Sequence, residues 1–209
     1  MAGRNDALHV AELLCARMTH DFSGSVGALS SLLELAFEQP ERAAEPLALA
    51  NETATQLVRR LKLLRTAWGP TMEPLPLDRV RDLALGLAQS RCTVNLDGLP
   101  ANAVFAPEMG RLLLNLLLLA ADALPRGGEA GVTGNPADFV LVIEGARTVW
   151  PAGLAACIAD PQAAWEVLED PRKVQLALTV LLAAAFGVRL SLLMGPGGSA
   201  APPLRVTAG

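Results

Sequence analysis

Residues 5–38 contain no proline and keep a helical period over their whole length, and this run limits the fold more than any other feature. At ~1.5 Å per residue it makes one helix on the order of 50 Å long. Asn5 or Asp6 stands where an N-cap belongs, and Pro40 ends the run. A second helical run follows over 41–67. Its apolar positions are Leu47, Ala50, Ala54, Leu57, Leu61, Leu64 and Trp68, spaced by threes and fours as in a heptad seam. Pro46 falls inside it, so the first turns kink or the helix starts later. Gly69-Pro70 stops it. Two long helices with a short turn form an antiparallel hairpin, which cannot cover its own apolar stripes. Either the rest of the chain or a second copy must do so. The expectation is a homodimer, with two hairpins forming a four-helix bundle.

Texture changes after the linker TMEPLPLD (71–78). Residues 78–89 read as helix and 91–96 as strand. Pro107 opens a helix to about 124, and 129–134 and 138–144 alternate like strands around GNPA. Short helices at 151–158 and 161–169 precede a buried helix over 171–186. Strands at 187–194 and 203–208 flank the turn GPGGSAAP. The fold class is therefore α+β. A hairpin over 1–70 is joined to an α/β sandwich over 71–209 with a mixed sheet covered by helices.

Composition removes several function classes. Apolar residues make up 52%, enough for a large core. The apolar runs at 112–124 and 174–186 are too short to cross a bilayer, and no basic-then-apolar leader is visible at the start. Cys15, Cys92 and Cys157 show no CxxC spacing and read as free thiols in a reducing cytoplasm. Net charge is −4, Tyr is absent, and the only basic cluster, RRLKLLR at 59–65, reads as the solvated face of a helix. Nucleic acid is therefore a disfavoured partner.

The chemistry sits in CARMTHDFSGSVGAL, residues 15–29. On a wheel at about 100° per residue, Ala11, Cys15, Met18, Phe22, Ser25, Leu29, Leu33 and Ala36 lie opposite His20 and form the expected core stripe. His20 shares its own face with Leu13, Arg17, Gly24, Gly27 and Ser31, so it points to water. Each mid-helix glycine costs about 1 kcal/mol against alanine. Gly24 and Gly27, one and two turns beyond His20, must therefore serve a close approach. What approaches is a partner, the dimer mate or the second domain. No GxSxG elbow accompanies His20, which argues against a serine triad. His9 lies about 16 Å away along the axis, too far to share a metal. A covalent nucleophile remains, with Asp21 placed to orient the imidazole tautomer in some of its rotamers.

LLCARMTHDFSGSVGALSSLLELA, followed by a second helix ending RRLKLLRTAWG, resembles the ChpT-type histidine phosphotransferases of bacterial two-component signalling. The resemblance is sharpest over residues 10–69. It implies a homodimer in which a sensor-kinase-like hairpin is fused to a degenerate kinase-type ATPase domain. It also implies that a phosphoryl group passes between receiver-domain aspartates through a phosphohistidine. His20 then matches the phosphoacceptor and Asp21 the acid beside it, while Arg17, Gly24 and Gly27 fall on the face a receiver covers. Ser25 departs from the pattern, since such helices often carry proline there.

An ATP site of that kind needs an Asn-rich helix, an Asp-x-Gly-x-Gly strand end and a glycine-rich lid. NLLLLAADAL (115–124) keeps Asn115 but has Leu119 where a second Asn belongs, and Glu144-Gly145-Ala146-Arg147 lacks the Asp-x-Gly-x-Gly order. No tightly bound cofactor is expected, and Mg²⁺ would come from the receiver. Arg147, or Arg172 and Lys173, would meet an acidic receiver surface. The rival readings are a non-catalytic dimeric scaffold and an ATP-dependent kinase fragment.

Overall fold

Helix α1 runs unbroken over Ala2–Glu38, starting ahead of Asn5 and Asp6, which the sequence placed at its cap. The structure, a computed structural model, describes residues 2–70, 73–193 and 201–209, with side chains from residue 7 onward. Most of the glycine-rich turn expected at 195–202 lies outside the described residues. A 3-10 turn over Pro40–Arg42 leads into α2, Ala44–Trp68. Pro46 is the third residue of α2. It costs nothing there, because first-turn N–H groups have no partner within the helix.

The remaining elements are β1 (Leu75–Pro76), α3 (Leu77–Ala84) continued by a 3-10 segment (Leu85–Ser90), and β2 (Cys92–Gly98). Next come β3 (Val104–Phe105), α4 (Pro107–Asp122), β4 (Gly128–Asn135) and β5 (Asp138–Glu144). The short helices α5 (Leu154–Ala159) and α6 (Ala163–Val167), a 3-10 turn (Pro171–Lys173), α7 (Val174–Ala185), β6 (Arg189–Leu192) and β7 (Leu204–Thr207) complete the order. The main sheet has the order β2-β4-β5-β7-β6; β2 and β4 are parallel and every other pair is antiparallel. Among the described residues, sequence reading missed the two-residue strands β1 and β3, which pair Leu75 with Phe105. Strands that short carry no alternation to detect.

Phe139, Leu141 and Ile143 of β5, with Ala130 and Val132 of β4 and Leu204 and Val206 of β7, turn one sheet face inward. That alternation is what a sheet covered on one side requires. Helix α4, buried along nearly its whole length, fills the space between the sheet, α2 and α7. The end of α2 joins the same core through Leu63, Leu64 and Ala67, and Leu13 of α1 is buried there as well.

The seam between α1 and α2 is turned by roughly 60° from the stripe read on the wheel. In α1 it runs through Leu14, Arg17, Asp21, Ser25, Leu29, Leu32 and Ala36; in α2 it runs through Pro46, Ala50, Ala54, Leu57, Arg60, Leu64 and Ala67. Ala11, Cys15, Met18 and Leu33, expected inside, are exposed in the single chain, and Leu47 and Leu61 of α2 are likewise open. An apolar stripe beside the seam drew the wheel reading away from it.

Gly86 lets the 3-10 segment lie directly on α2. A Cβ there would stand 2.7 Å from the Arg59 carbonyl oxygen and 2.9 Å from Leu63 Cβ. Gly86→Ala is expected to destabilise the chain by about 1–3 kcal/mol, since a backbone must move to admit the methyl. Thermal unfolding measures this. An unchanged midpoint would mean that the two segments separate freely.

Candidate functional site

His20 stands on the outside of α1 with its side chain 91% exposed. It borders a groove of about 560 Å³ between α1 and the Pro171–Lys173 turn, lined also by Ala16, Arg17, Asp21, Asp122, Pro171 and Arg172. The uninterrupted helix carries the neighbouring polar residues without strain, because Thr19 and Ser23 donate their hydroxyl hydrogens to the carbonyls four residues back. Ser25, where proline was expected, keeps the helix continuous and accepts a hydrogen bond from Gln89 Nε2 in the 3-10 segment at 3.3 Å.

Adjacent helix residues diverge by about 100°, so Asp21 points toward the seam while His20 points away from it. The gap is nonetheless small, with His20 Nδ1 3.6 Å from Asp21 Oδ1. That is longer than a hydrogen bond, and catalytic contacts of this kind often tighten only when a partner arrives. The other oxygen, Oδ2, accepts from Arg60 Nη2 at 3.2 Å and lies 4.0 Å from Arg17 Nε. Arg17 in turn donates from Nη2 to Asp122 Oδ1 at 2.7 Å, linking α1 to the end of α4. An alternating row of charges, Asp122–Arg17–Asp21–Arg60, thus runs from the sheet domain through α1 to α2.

The two arginines are held differently. Burial opposes the Arg17 charge, but the hydrogen bond and the negative charge of Asp122 outweigh it and raise the pKa above the ordinary arginine value. For Arg60 burial wins, and Asp21 only partly offsets it, so the pKa falls. Sequence reading put Arg17 on the docking face and treated 59–65 as solvated. In the structure Arg17 is only 17% exposed and committed to acids, and Arg60 is buried. A signal for Arg60 existed, because Leu57, Arg60 and Leu64 also follow a three-then-four spacing.

Gly24 and Gly27 face open space, with nothing within 4 Å of where a Cβ would stand. The second domain therefore does not make the close approach they allow. Arg172 is exposed at the groove's rim, pinned by Asp170, which accepts from its backbone N–H and its guanidinium. Arg147 is exposed on the loop after β5 and does not line the groove. Lys173 borders an adjoining hollow with Asp122 and Trp150.

The helix that resembles the Asn-rich helix of kinases does structural work instead. Asn115 is fully buried; its Nδ2 donates to the Ala67 and Arg111 carbonyls, and its Oδ1 accepts from Gln175 Nε2. Arg111 donates to the Ala67 and Trp68 carbonyls, so α4 satisfies the open carbonyls at the end of α2. Gln175 accepts from Trp68 Nε1 and Thr179 closes the network. Asn115 Oδ1 already accepts from Gln175 in a fully buried position, and Leu119, wholly buried, brings no ligand atom for a metal ion. The residues present do not fit a kinase-type nucleotide site.

Comparison with known proteins agrees with this description. Residues 77–196 match the family model of the histidine phosphotransferase C-terminal domain. The protein phosphotransferase ChpT of Brucella abortus (strain 2308) is 31% identical over 200 residues, which cover 89% of this chain and 90% of that protein. A bacterial phosphotransferase solved at 1.7 Å superposes with a TM-score of 0.72 at 24% identity, covering 96% of this chain and 95% of its own, which shows the shared fold. The chain belongs to the ChpT-type histidine phosphotransferase family, and its work is phosphotransfer in two-component signalling.

Proposed function

We propose that His20 is the phosphoacceptor and that it carries phosphoryl between the aspartates of two receiver domains. The observation that carries this reading is an exposed imidazole whose Nδ1 faces a fixed carboxylate, 3.6 Å away, at the edge of an open groove. With the proton on Nδ1, the Nε2 lone pair is free. It attacks the phosphorus of a receiver's aspartyl phosphate; the P–N bond forms, the P–O bond breaks, and the receiver's aspartate leaves as a carboxylate. The Nδ1 proton stays, and Asp21 faces the positive ring that results. A second receiver's carboxylate then attacks phosphorus and the P–N electron pair returns to Nε2. The receiver's acidic pocket would hold the Mg²⁺, which would supply charge neutralisation for the transferring group.

Residues 1–70 accept the phosphoryl group and dimerise, and 71–209 brace and flank the site without binding ATP tightly. Support for the dimer is the open apolar stripe on the hairpin: Met18, Val26, Leu33 and Phe37 of α1, with Leu47, Val58 and Leu61 of α2. Phe37 is 83% exposed, which is costly unless another surface covers it. Among the described residues no helix is long and apolar enough to cross a membrane, and the cytoplasm, where receivers and reduced thiols occur, is the proposed location. A receiver lands over Gly24 and Gly27, with Arg172 at the groove's rim available to its acidic surface; Arg17 serves as a brace and not as a docking residue.

The test is transfer itself. Incubated with a receiver phosphorylated by labelled phosphate, the chain takes up label as an acid-labile, alkali-stable species, and an unphosphorylated second receiver discharges it. A chain that pairs with itself but takes up no label from any receiver would be a scaffold.

A further inference from the structure

Asp21 divides its two oxygens between different tasks. Oδ1 faces the His20 imidazole at 3.6 Å, while Oδ2 is taken by Arg60 Nη2 at 3.2 Å. A carboxylate on its own would turn freely about its last bond, and its place on the helix sends it away from its neighbour. Something must set its rotation, and its side-chain hydrogen bond comes from Arg60 on the opposite helix. Arg17 is a weaker support, 4.0 Å from Oδ2 and bonded more closely to Asp122 at 2.7 Å.

Arg60 is an expensive way to fill the seam. Its side chain is 9% exposed, it occupies a position between Leu57 and Leu64 that suits an apolar residue, and its Nη1 is buried with no hydrogen-bond partner. A buried ion pair is seldom worth more than an apolar side chain of the same volume, and an unpaired guanidinium nitrogen makes the balance worse. Packing therefore does not explain an arginine here, whereas the fixed orientation of Asp21 does.

We propose that Arg60 is a positioning residue for phosphotransfer: from α2 it holds Asp21 so that one carboxylate oxygen stays turned to His20 Nδ1, keeping the ring proton on that nitrogen and Nε2 open to phosphorus. This rests on His20 as the phosphoacceptor. Arg60 touches no reacting atom and acts only through Asp21.

The test uses the full chain with ¹⁵N-labelled histidine, carrying His9→Gln so that His20 is the only signal. Imidazole ¹⁵N shifts above neutral pH report which nitrogen bears the proton, with no phosphoryl group present. The parent protein is expected to favour the Nδ1–H form. Arg60→Met is expected to move it toward the distribution of free histidine, where Nε2–H dominates, while the melting temperature stays equal or rises. Uptake from a phosphorylated receiver then falls about 10- to 100-fold in kcat with little change in KM. Arg60→Lys, which restores a positive charge opposite Oδ2, recovers part of the tautomer bias. If Arg60→Met does not fold, Arg60→Gln is read by the same two measurements. A folded Met or Gln variant with the parent's tautomer and kcat overturns the proposal. A tautomer shift in a chain that never accepts phosphoryl would sink the reading of His20 and leave the role of Arg60 toward Asp21 standing.

Discussion

His20→Ala is expected to reduce phosphoryl uptake from a phosphorylated receiver by more than about 10³-fold, to the background of hydrolysis, while His9→Ala stays within about twofold of the parent. Removing the nucleophile leaves no atom to form the P–N bond, and no neighbour substitutes: Asp21 is tied to Arg60, and Asp122 is tied to Arg17. The variant is informative because it disturbs little else. With 91% of its side chain exposed, His20 contributes almost nothing to packing, and alanine is the better helix former. Stability is therefore expected to hold within about 0.5 kcal/mol or rise slightly. His9 is the matched control, exposed on the same helix beside Glu12 but remote from the groove. Uptake retained by His20→Ala, or lost equally in both variants, would place the phosphoryl group elsewhere. The measurement is label in the chain at early times, with melting temperature recorded alongside.

The hairpin was legible because its signals are local. Proline-free periodicity, Pro40 and Gly69-Pro70 set its ends to within a few residues. Exposure of His20 followed from the same periodicity. What stayed hidden was the content of the seam. Hydrophobic spacing finds apolar stripes, and α1 has two that overlap: one meets α2, and the other, with Met18 and Leu33, lies open. The reading followed the open one. Arg17 and Arg60, lying on the true seam with Asp21, were then taken for surface residues. Charged side chains disappear from an apolar pattern even when they are buried, because their burial depends on partners far apart in the chain; Asp122 is 105 residues from Arg17. Asn115 was found by motif, yet its present task at the end of α2 depends on Gln175 and Ala67, which no local pattern connects to it.

That network also explains how the sheet domain, which lines the groove through Asp122, Pro171 and Arg172, supports the site. Asp122 ends α4, and α4 is fixed by the core and by its bonds to the end of α2. Through Arg17 the rigid helix sets one end of the charge row, and Arg60 sets the other. The acid beside His20 is held between two elements that cannot easily shift, which is the preorganisation that orienting a nucleophile demands.

The double change Gly24→Ala, Gly27→Ala is expected to separate stability from transfer. Both glycines sit in the middle of an exposed helical face with open space where a methyl would go, so each alanine should add about 1 kcal/mol. For a chain of this size the melting temperature should rise by roughly 4–8 °C. If the glycines only loosened the helix, transfer would improve or stay level. If they clear a surface for a receiver's backbone, the same methyl groups hold that backbone away from His20. A displacement of about 1 Å costs on the order of 10²-fold in rate. Uptake is expected to fall by about 10- to 100-fold, mainly in kcat/KM, with the helix more stable than before. Single variants should divide the loss, with Gly24, one turn from His20, contributing more than Gly27. A more stable protein with unimpaired uptake would remove these glycines from the docking face. A rise in stability accompanied by loss of uptake is an outcome that neither a scaffold nor a purely structural role for the glycines produces.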